Sequence, residues 1–401
     1  MLESMLTLWE STGIAKLFGG PVDVWVKTLL MYVIVGVLVY LAIKKQFEPL
    51  LLLPIAIGMF LTNLPGAELF HMDLFINEKN EILIQKVFEE GGLIDILYLG
   101  VKFGVYPSLI FIGIGAMTDF SPLISNPKSI FLGGAAQLGV FAAFAGALLL
   151  GAIPGIDFNE MEAAAIGIIG GADGPTAINT TKELAPQLLG AIAIAAYSYM
   201  ALIPLIQPPF MKLLTTKEER KIKMEALGTV SKLEKVLFPL IVLFIVAIIL
   251  PEATQLVGCL MFGNLLNVCG VTDRLSQTAQ NGLINVVTIF LGISVGATAT
   301  AESFLDLKTI FIIVLGLTAF VLSTIGGLLG GKLMCKLTKG KINPLIGSAG
   351  VSAVPMAARV AQKVGQKEDP SNFLLMHAMG PNVAGVIGSA ICAGVFLALF
   401  N

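Results

Sequence analysis

A single carboxylate stands inside a stretch of the chain that glycine and proline keep from being a regular helix. Residues 170–178 read GGADGPTAI, and Asp173 lies between the apolar run 163–169 and a second apolar run that begins at Gln187. Within a membrane, a carboxylate costs about 2.5–3.5 kcal/mol on insertion scales, so it needs a partner or a function. Backbone carbonyls freed by the break, next to one negative charge, suit a small hard cation. A narrower interpretation, compatible with the first, is that Asp173 caps the helix that follows it.

A second interrupted segment carries neutral oxygen atoms and the nearest strong cation. It reads NPLIGSAGVSAVPMAARV over 343–360, and MHAMGPNVAGVIGSA follows over 376–390. Its neutral oxygen donors are Asn343, Ser352 and Asn382. A helix that begins after Pro355 puts Arg359 about one turn in. Taken singly, the serine and the second asparagine fit hydrogen bonding between helices, and Arg359 fits a side chain that reaches the cytoplasmic surface. Taken with Asp173, the group indicates a site.

Two tyrosines precede the second half of the chain. Tyr197 and Tyr199 lie in the apolar run AAYSYMALIP. Residues two apart point to different faces of a helix, so at most one of them reaches a common site. Either one also fits an aromatic residue at the membrane interface.

The composition predicts the environment that must hold these residues. Of 401 residues, 56% are hydrophobic and only 13% are charged, and the mean hydropathy is +0.88. Ordinary globular chains carry about 25% charged residues. The chain is therefore predicted to be an all-α membrane protein with several spans. A net charge of −2 gives no basic face for nucleic acid, and no GxxxxGK[ST] motif is present for ATP.

Ten apolar runs have about the length that a bilayer requires. They are 24–43, 49–64, 93–117, 129–152, 187–207, 235–251, 253–270, 282–299, 308–334 and 372–400. Two further apolar segments, 161–180 and 343–361, are interrupted by Gly and Pro. The positive-inside rule assigns the basic loop 208–236 to the cytoplasm, together with the lysines of 332–341. Placing both on one side of the membrane requires some segments to be re-entrant.

An internal repeat recurs at an offset near 180. IFIGIGAMTDFSPLISNPKSIF over 110–131 is similar to IFLGISVGATATAESFLDLKTIF over 289–311. At the same offset, Gly170, Pro175 and Ala177 match Gly350, Pro355 and Ala357. Interrupted hydrophobic segments at matching places in two halves indicate a transporter site near the membrane midplane. The predicted units are 1–44 with the first transmembrane helix, a first repeat 45–207 with its broken helix 161–180, the basic loop 208–236, and a second repeat 237–401 with its broken helix 343–361.

Three motifs resemble the signature segments of one family. GGADGPTAI, NPLIGSAGVSAVPMAARVAQKVGQ and NFLLMHAMGPNVAGVIGSA are similar to those of the β subunit of sodium-translocating biotin-dependent decarboxylases, which act on oxaloacetate, methylmalonyl-CoA or glutaconyl-CoA. The resemblance covers most of the chain from the first span onward. It implies a subunit of the bacterial inner membrane that decarboxylates carboxybiotin and couples this reaction to Na⁺ export with proton consumption. It also implies a homotrimeric core of inverted repeats that moves as an elevator.

The same resemblance implies partners and residue roles. A separate biotin carrier subunit presents the carboxybiotin, a carboxyltransferase subunit loads it, and a small subunit anchors the complex in the membrane. The positions that match sodium ligands are Asp173, Asn343, Ser352 and Asn382. Ser352 also matches a proton-pathway residue, Arg359 the residue that meets the carboxylated biotin, and Tyr199 a functional tyrosine. The segment KIKMEAL over 221–227 lacks the Ala-Met that precedes a biotin-accepting lysine, so no biotin is expected on this chain.

Two other classes of function fit parts of the pattern. A secondary Na⁺/carboxylate or Na⁺/H⁺ carrier would share the composition, the repeat and the broken helices. A channel or a structural membrane subunit would share the packing of small residues, but it would leave Asp173 and Arg359 without a purpose.

Overall fold

The computed structural model describes residues 2–75, 84–353 and 355–400, and all regular structure in these ranges is helical. The helices of the first half are α1 Leu2–Glu10, α2 Gly13–Gly19, α3 Val22–Lys44, α4 Pro49–Thr62, α5 Ile84–Glu89, α6 Leu93–Lys102, α7 Val105–Met117, α8 Ser121–Ser125, α9 Ile130–Ala136, α10 Leu138–Gly151, α11 Glu160–Gly167, α12 Gly174–Leu184, α13 Leu189–Leu214 and α14 Lys217–Arg220. Those of the second half are α15 Lys232–Ile249, α16 Thr254–Val268, α17 Asp273–Gln277, α18 Ile284–Ala297, α19 Ala301–Phe304, α20 Leu307–Leu337, α21 Met356–Glu368 and α22 Leu375–Phe400.

Several of these helices have the length and composition of membrane spans. By these two criteria five described helices qualify, and up to seven if each of two bent pairs counts as one span. One bent pair is α6 with α7, which meet at 65°. Gly104 at their junction has φ +70, a left-handed conformation that glycine adopts without the steric penalty of a side chain. The prediction of an all-α membrane protein is confirmed, and each predicted apolar run overlaps one or more of the helices.

Both interrupted segments fold as hairpins that turn back at the break. Hairpin 1 consists of α11, a 3₁₀ turn over Ile168–Gly171, and α12. Hairpin 2 consists of a 3₁₀ segment over Pro344–Gly350 and the helix α21. In hairpin 1 the chain reverses at Ala172, which has a φ of +55. The glycine and proline residues that interrupt the apolar pattern therefore mark the tips of the two hairpins.

The two hairpins approach the long helix α20 from opposite ends. At its start, Lys308 pairs with Glu162 at the outer end of hairpin 1, with 3.3 Å between Nζ and Oε2. Near its other end, Gly331 lies so close to the carbonyl of Pro344 in hairpin 2 that a side chain there would collide. At the middle of α20, the Ser323 hydroxyl donates to the Gly170 carbonyl at 2.7 Å. The tips of the hairpins therefore meet halfway along α20.

Two further helix crossings also bring a glycine against a backbone carbonyl. The helices α4 and α18 cross where Gly58 faces the carbonyl of Ile293, and α7 and α16 cross where Gly115 faces the carbonyl of Leu260. In each case a Cβ atom would collide with backbone, so only glycine permits this approach. A buried asparagine amide forms a hydrogen bond across each crossing. Asn264 donates to the Thr118 carbonyl at 2.9 Å, and Asn63 donates to the Ala299 carbonyl, just after α18, also at 2.9 Å.

Candidate functional site

The carboxylate of Asp173 is buried at the tip of hairpin 1. Asp173 occupies the N-cap position of α12 and is 5% exposed. Its Oδ2 atom accepts hydrogen bonds from the Thr176 hydroxyl at 2.8 Å and from the Ser389 hydroxyl of α22 at 2.9 Å. It forms no salt bridge with any lysine or arginine in the described ranges. A negative charge at this position is therefore supported by hydrogen-bond donors and by no described cation.

Hairpin 2 contributes a serine that binds the tip of hairpin 1. The carbonyl of Gly171 accepts from both the backbone nitrogen of Ser352 at 3.2 Å and its hydroxyl at 2.7 Å. Ser352 is 5% exposed. These two bonds place Ser352 next to Gly171, two residues before Asp173. The two interrupted segments are therefore in direct contact.

The amide of Asn382 holds the tip of hairpin 2 and leaves one oxygen unused. Its Nδ2 atom donates to the carbonyls of Ala349 at 2.9 Å and Val351 at 2.8 Å. Its Oδ1 atom is buried and has no hydrogen-bond partner among the described residues. A buried amide oxygen without a partner costs about 1–3 kcal/mol, so it is a natural ligand for a cation.

A cavity of about 330 Å³ joins Asp173 and Ser352 to Arg359. Its remaining wall is mostly apolar and includes Ile114 and Met117 from α7, Met200 from α13, and Met379 and Val386 from α22. Arg359 lies in the first turn of α21, as the sequence predicts, and its side chain is exposed. It forms no ion pair with a described residue. The cavity therefore has a buried carboxylate in its wall and an unpaired guanidinium at its accessible side.

Of the two tyrosines, Tyr197 lies beside the tip of hairpin 1. Its ring packs against Gly174, where a Cβ atom would collide with it, and its buried hydroxyl has no described partner. The hydroxyl of Tyr199 donates instead to the carbonyl of Ile313 in α20. The family resemblance assigns a functional role to Tyr199, but Tyr199 is not among the residues that line the cavity.

Asn343 also lies away from the cavity, at the outer end of hairpin 2. Its Nδ2 atom donates to the carbonyls of Arg220 at 3.1 Å and Ile222 at 2.9 Å, and its Oδ1 atom accepts from the backbone nitrogen of Leu345 at 3.0 Å. These bonds tie hairpin 2 to the basic loop. Three of the four predicted ligands therefore meet at the hairpin tips, and Asn343 is separate from them.

Sequence reasoning did not single out the two hydroxyl donors of Asp173. Thr176 lies three residues after an N-cap position, a spacing that brings a side chain back to the cap. Ser389 lies seven residues, or two helical turns, after Asn382 and so on the same face of α22. Both signals were available in the motifs already identified.

Comparison with known proteins agrees with these motifs. Residues 27–400 match the family model described as Na⁺-transporting oxaloacetate decarboxylase beta subunit. The chain is 56% identical to methylmalonyl-CoA decarboxylase subunit beta of Propionigenium modestum over 100% of both chains. It is 58% identical to glutaconyl-CoA decarboxylase subunit beta of Acidaminococcus fermentans over 90% of each chain. It is 48% identical to the oxaloacetate decarboxylase beta chain of Haemophilus ducreyi, covering 99% of this chain and 98% of the relative.

Proposed function

This chain belongs to the family of Na⁺-transporting oxaloacetate decarboxylase β subunits, and we propose from that membership that it decarboxylates carboxybiotin and couples the reaction to Na⁺ export. It is a membrane protein and a sodium-translocating decarboxylase subunit. The observation that carries the proposal is the family match over residues 27–400, which includes both hairpins. A secondary carrier is disfavoured because the three relatives described above are all named as decarboxylase subunits.

The proposed sodium site lies where the two hairpin tips meet. Its ligands are the carboxylate of Asp173, the Oδ1 atom of Asn382, the hydroxyl of Ser352 and carbonyls of the tips. Hard oxygen atoms of this kind suit an alkali cation. The support is the partnerless Oδ1 atom of Asn382 and the buried carboxylate of Asp173, which has no described cation beside it. Asn343 is assigned instead to positioning hairpin 2, because its polar atoms are already satisfied by backbone.

Arg359 is proposed to receive the carboxyl group of carboxybiotin. An arginine presents a planar fork of donors that matches a carboxylate in two hydrogen bonds. Its guanidinium lines the same cavity as Asp173 and Ser352 and is free of ion pairs with described residues. Cleavage of the N–CO₂⁻ bond releases CO₂, and the ureido nitrogen then takes up a proton. Ser352 lines the same cavity as the two charged residues and is the proposed relay for that proton.

Coupling is proposed to arise from competition between a proton and Na⁺ at one locus. A proton that reaches Asp173 removes the charge that holds Na⁺, so proton arrival and sodium release exclude each other. Moving one charge against 100 mV costs about 2.3 kcal/mol, which decarboxylation must supply. Coupling also requires that Na⁺ bind the two access states with different affinity. The proton consumed by the chemistry is thereby linked to sodium movement.

The two halves are proposed to be inverted repeats that move as an elevator. The hairpins approach α20 from opposite ends, and the α4–α18 and α7–α16 crossings use the same glycine-to-carbonyl packing. The cavity lies between α7 of the crossing pairs and the hairpin tips. Both hairpins lie outside the interval between the two basic stretches, and the helices inside it, each proposed to cross the membrane once, are α15, α16, α18 and α20. This even number of crossings puts both basic stretches on the cytoplasmic side.

The working protein is proposed to be a complex. The relatives are named as subunits, so this chain acts with others. The proposed partners are a biotin carrier subunit, a carboxyltransferase subunit and a small membrane anchor subunit, around a homotrimeric core of this chain. Because no biotin-accepting motif occurs in the chain, carboxybiotin must be delivered to Arg359 by the carrier subunit.

Substrate-driven sodium uptake tests the proposed function. The assembled complex is reconstituted into liposomes, and ²²Na⁺ uptake is followed after adding oxaloacetate, methylmalonyl-CoA or glutaconyl-CoA in turn. We expect uptake against a sodium gradient with one of the three, and its loss when avidin blocks the biotin. Sodium movement only down its gradient, unaffected by all three substrates, would identify a secondary carrier instead.

A further inference from the structure

A second, apolar cavity lies on the opposite side of α22 from the hairpin tips. This groove has a volume of about 530 Å³ and separates the middle of α15 from α22 and from α9 and α10. Its walls include Ile130, Phe141, Phe238, Val242, Ile387 and Ile391. Most of these side chains are at least partly exposed, so the groove opens on the outer surface of the helices. In a membrane-spanning chain, such an outer apolar surface is covered by lipid or by another subunit.

The lining of the groove favours a hydrocarbon occupant over water. Its buried amide, Gln137, is turned into the protein, where its Nε2 atom donates to the carbonyls of Gly133 and Gly385 at 3.3 Å each. A water molecule needs two to four polar partners, which these walls do not provide. Gly134 adds space, because a Cβ atom built on it would meet nothing within 4 Å.

Two lysines lie shortly before groove-lining residues in the sequence. Lys235 lies three residues, or about one turn, before Phe238, and Lys128 lies two residues before Ile130. The rings of Phe120 and Phe238, 5.4 Å apart, bring this end of α15 next to the segment that leads to Lys128. Neither lysine forms an ion pair with a described residue. Lys235 belongs to the basic loop 208–236, so this end is assigned to the cytoplasmic leaflet, which is rich in anionic lipid.

We propose that the groove binds one acyl chain of an anionic phospholipid, whose phosphate group is held by Lys128 and Lys235. The charge at the mouth and the apolar walls match the two parts of such a molecule. The bound acyl chain would pack against the face of α22 opposite the hairpin tips. Asn382 and Ser389 face the tips, while Ile387 and Ile391 face the groove. The proposal depends on the chain spanning a membrane, not on the pump mechanism.

Photolabelling of the assembled complex tests this proposal. The probe is phosphatidylglycerol with a photoactivatable acyl chain in nanodiscs, and the labelled peptides are mapped by mass spectrometry. We expect the wild type to be labelled on α15 and α22. Gly134→Leu fills the groove and is expected to reduce this labelling roughly tenfold or more, because it displaces several methylene groups of the bound chain. The control, Gly36→Leu, adds the same side chain on α3, where a Cβ atom also meets open space, and should leave the labelling unchanged.

The headgroup contact is tested by the double variant Lys128→Gln with Lys235→Gln. In this variant, unlabelled phosphatidylglycerol should compete with the probe for labelling roughly tenfold or more weakly than in the wild type. Competition by unlabelled phosphatidylcholine should be unchanged. The exposed pair Lys217→Gln and Lys221→Gln in the basic loop is the matched control. Equal labelling of wild type and Gly134→Leu would overturn the proposal. So would labelling of a partner subunit in place of α15 and α22, since a protein helix would then cover the groove.

Discussion

The carboxylate of Asp173 is held by two hydroxyl groups, from Thr176 and Ser389, and by no described cation. Hydroxyl donors stabilise a carboxylate but do not neutralise it. In a membrane the remaining charge is costly, and a bound Na⁺ would offset it. The proposed sodium ion would complete the charge balance of the site.

The free oxygen of Asn382 leads to the first prediction. Asn382→Ala removes a proposed ligand and also takes the donor from the carbonyls of Ala349 and Val351. A loss of about 1–3 kcal/mol corresponds to a roughly 5- to 150-fold higher sodium concentration for half-maximal decarboxylation. The control is Asn281→Ala, an exposed asparagine whose amide bonds only to Gln277. An unchanged sodium requirement in Asn382→Ala would remove this residue from the ligand set.

Arg359 leads to a prediction that separates chemistry from sodium binding. In Arg359→Gln the guanidinium that would hold the carboxyl group is lost, so turnover should fall roughly 10- to 150-fold. Sodium binding, measured by ²²Na⁺ filtration in the absence of substrate, should remain within about twofold, because Arg359 contributes no ligand. Lys363→Gln, one turn further along the exposed face of α21, is the matched control. A large loss of sodium binding together with turnover would contradict the separate role given to Arg359.

At the scale of elements, glycine and proline made the hairpins predictable, while contacts between distant helices were not. GGADGPT and GVSAVP interrupt the apolar pattern, and the chain turns back at both places. Local pattern did not distinguish Asn343 from Asn382, because both are asparagines next to a proline in the motifs that the sequence singles out. Only the fold shows that Asn343 binds the backbone of Arg220 and Ile222, more than 100 residues away in sequence. Residue type suggested which side chains could be sodium ligands, but only the tertiary structure shows which of them lie near the hairpin tips.

The contact between α22 and hairpin 2 leads to a prediction about packing. Gly385 faces the carbonyl of Gly350 so closely that a Cβ atom would collide with backbone. Gly385→Ala should therefore destabilise the protein by about 1–3 kcal/mol and displace Asn382, one turn earlier on α22. A lower melting temperature in detergent and a raised sodium requirement are expected. Gly36→Ala, on an open face of α3, should change neither. Wild-type behaviour of Gly385→Ala would mean that the hairpin and α22 are not packed as described.

At the scale of the whole molecule, the two hairpins lie outside the interval between the two basic stretches, one before it and one after it. Hairpin 1 has its outer end at the start of α20 and hairpin 2 has its outer end near the finish of α20. If α20 crosses the membrane once, these two ends face opposite solutions. The positive-inside rule then assigns the end of hairpin 2 to the cytoplasm.

Cysteine accessibility tests this arrangement. Glu160 and Lys367 are exposed at the outer ends of hairpins 1 and 2. In a background without the four native cysteines, Lys367→Cys in right-side-out vesicles should resist a membrane-impermeant maleimide, and Glu160→Cys should react. Inverted vesicles should give the opposite pattern. Reaction of both positions from the same side would contradict the inverted arrangement of the hairpins.

Decarboxylation and sodium movement are proposed to be coupled at Asp173. The most direct measurement is the number of ²²Na⁺ ions taken up per CO₂ released, in inverted vesicles that hold the complete complex. Asp173→Asn keeps the size of the side chain but removes the charge, and Asp273→Asn, an exposed residue of α17, is the control. We predict that Asp273→Asn keeps the wild-type ratio while Asp173→Asn loses substrate-driven uptake together with sodium-stimulated CO₂ release. Unchanged uptake per CO₂ in Asp173→Asn would contradict the central claim.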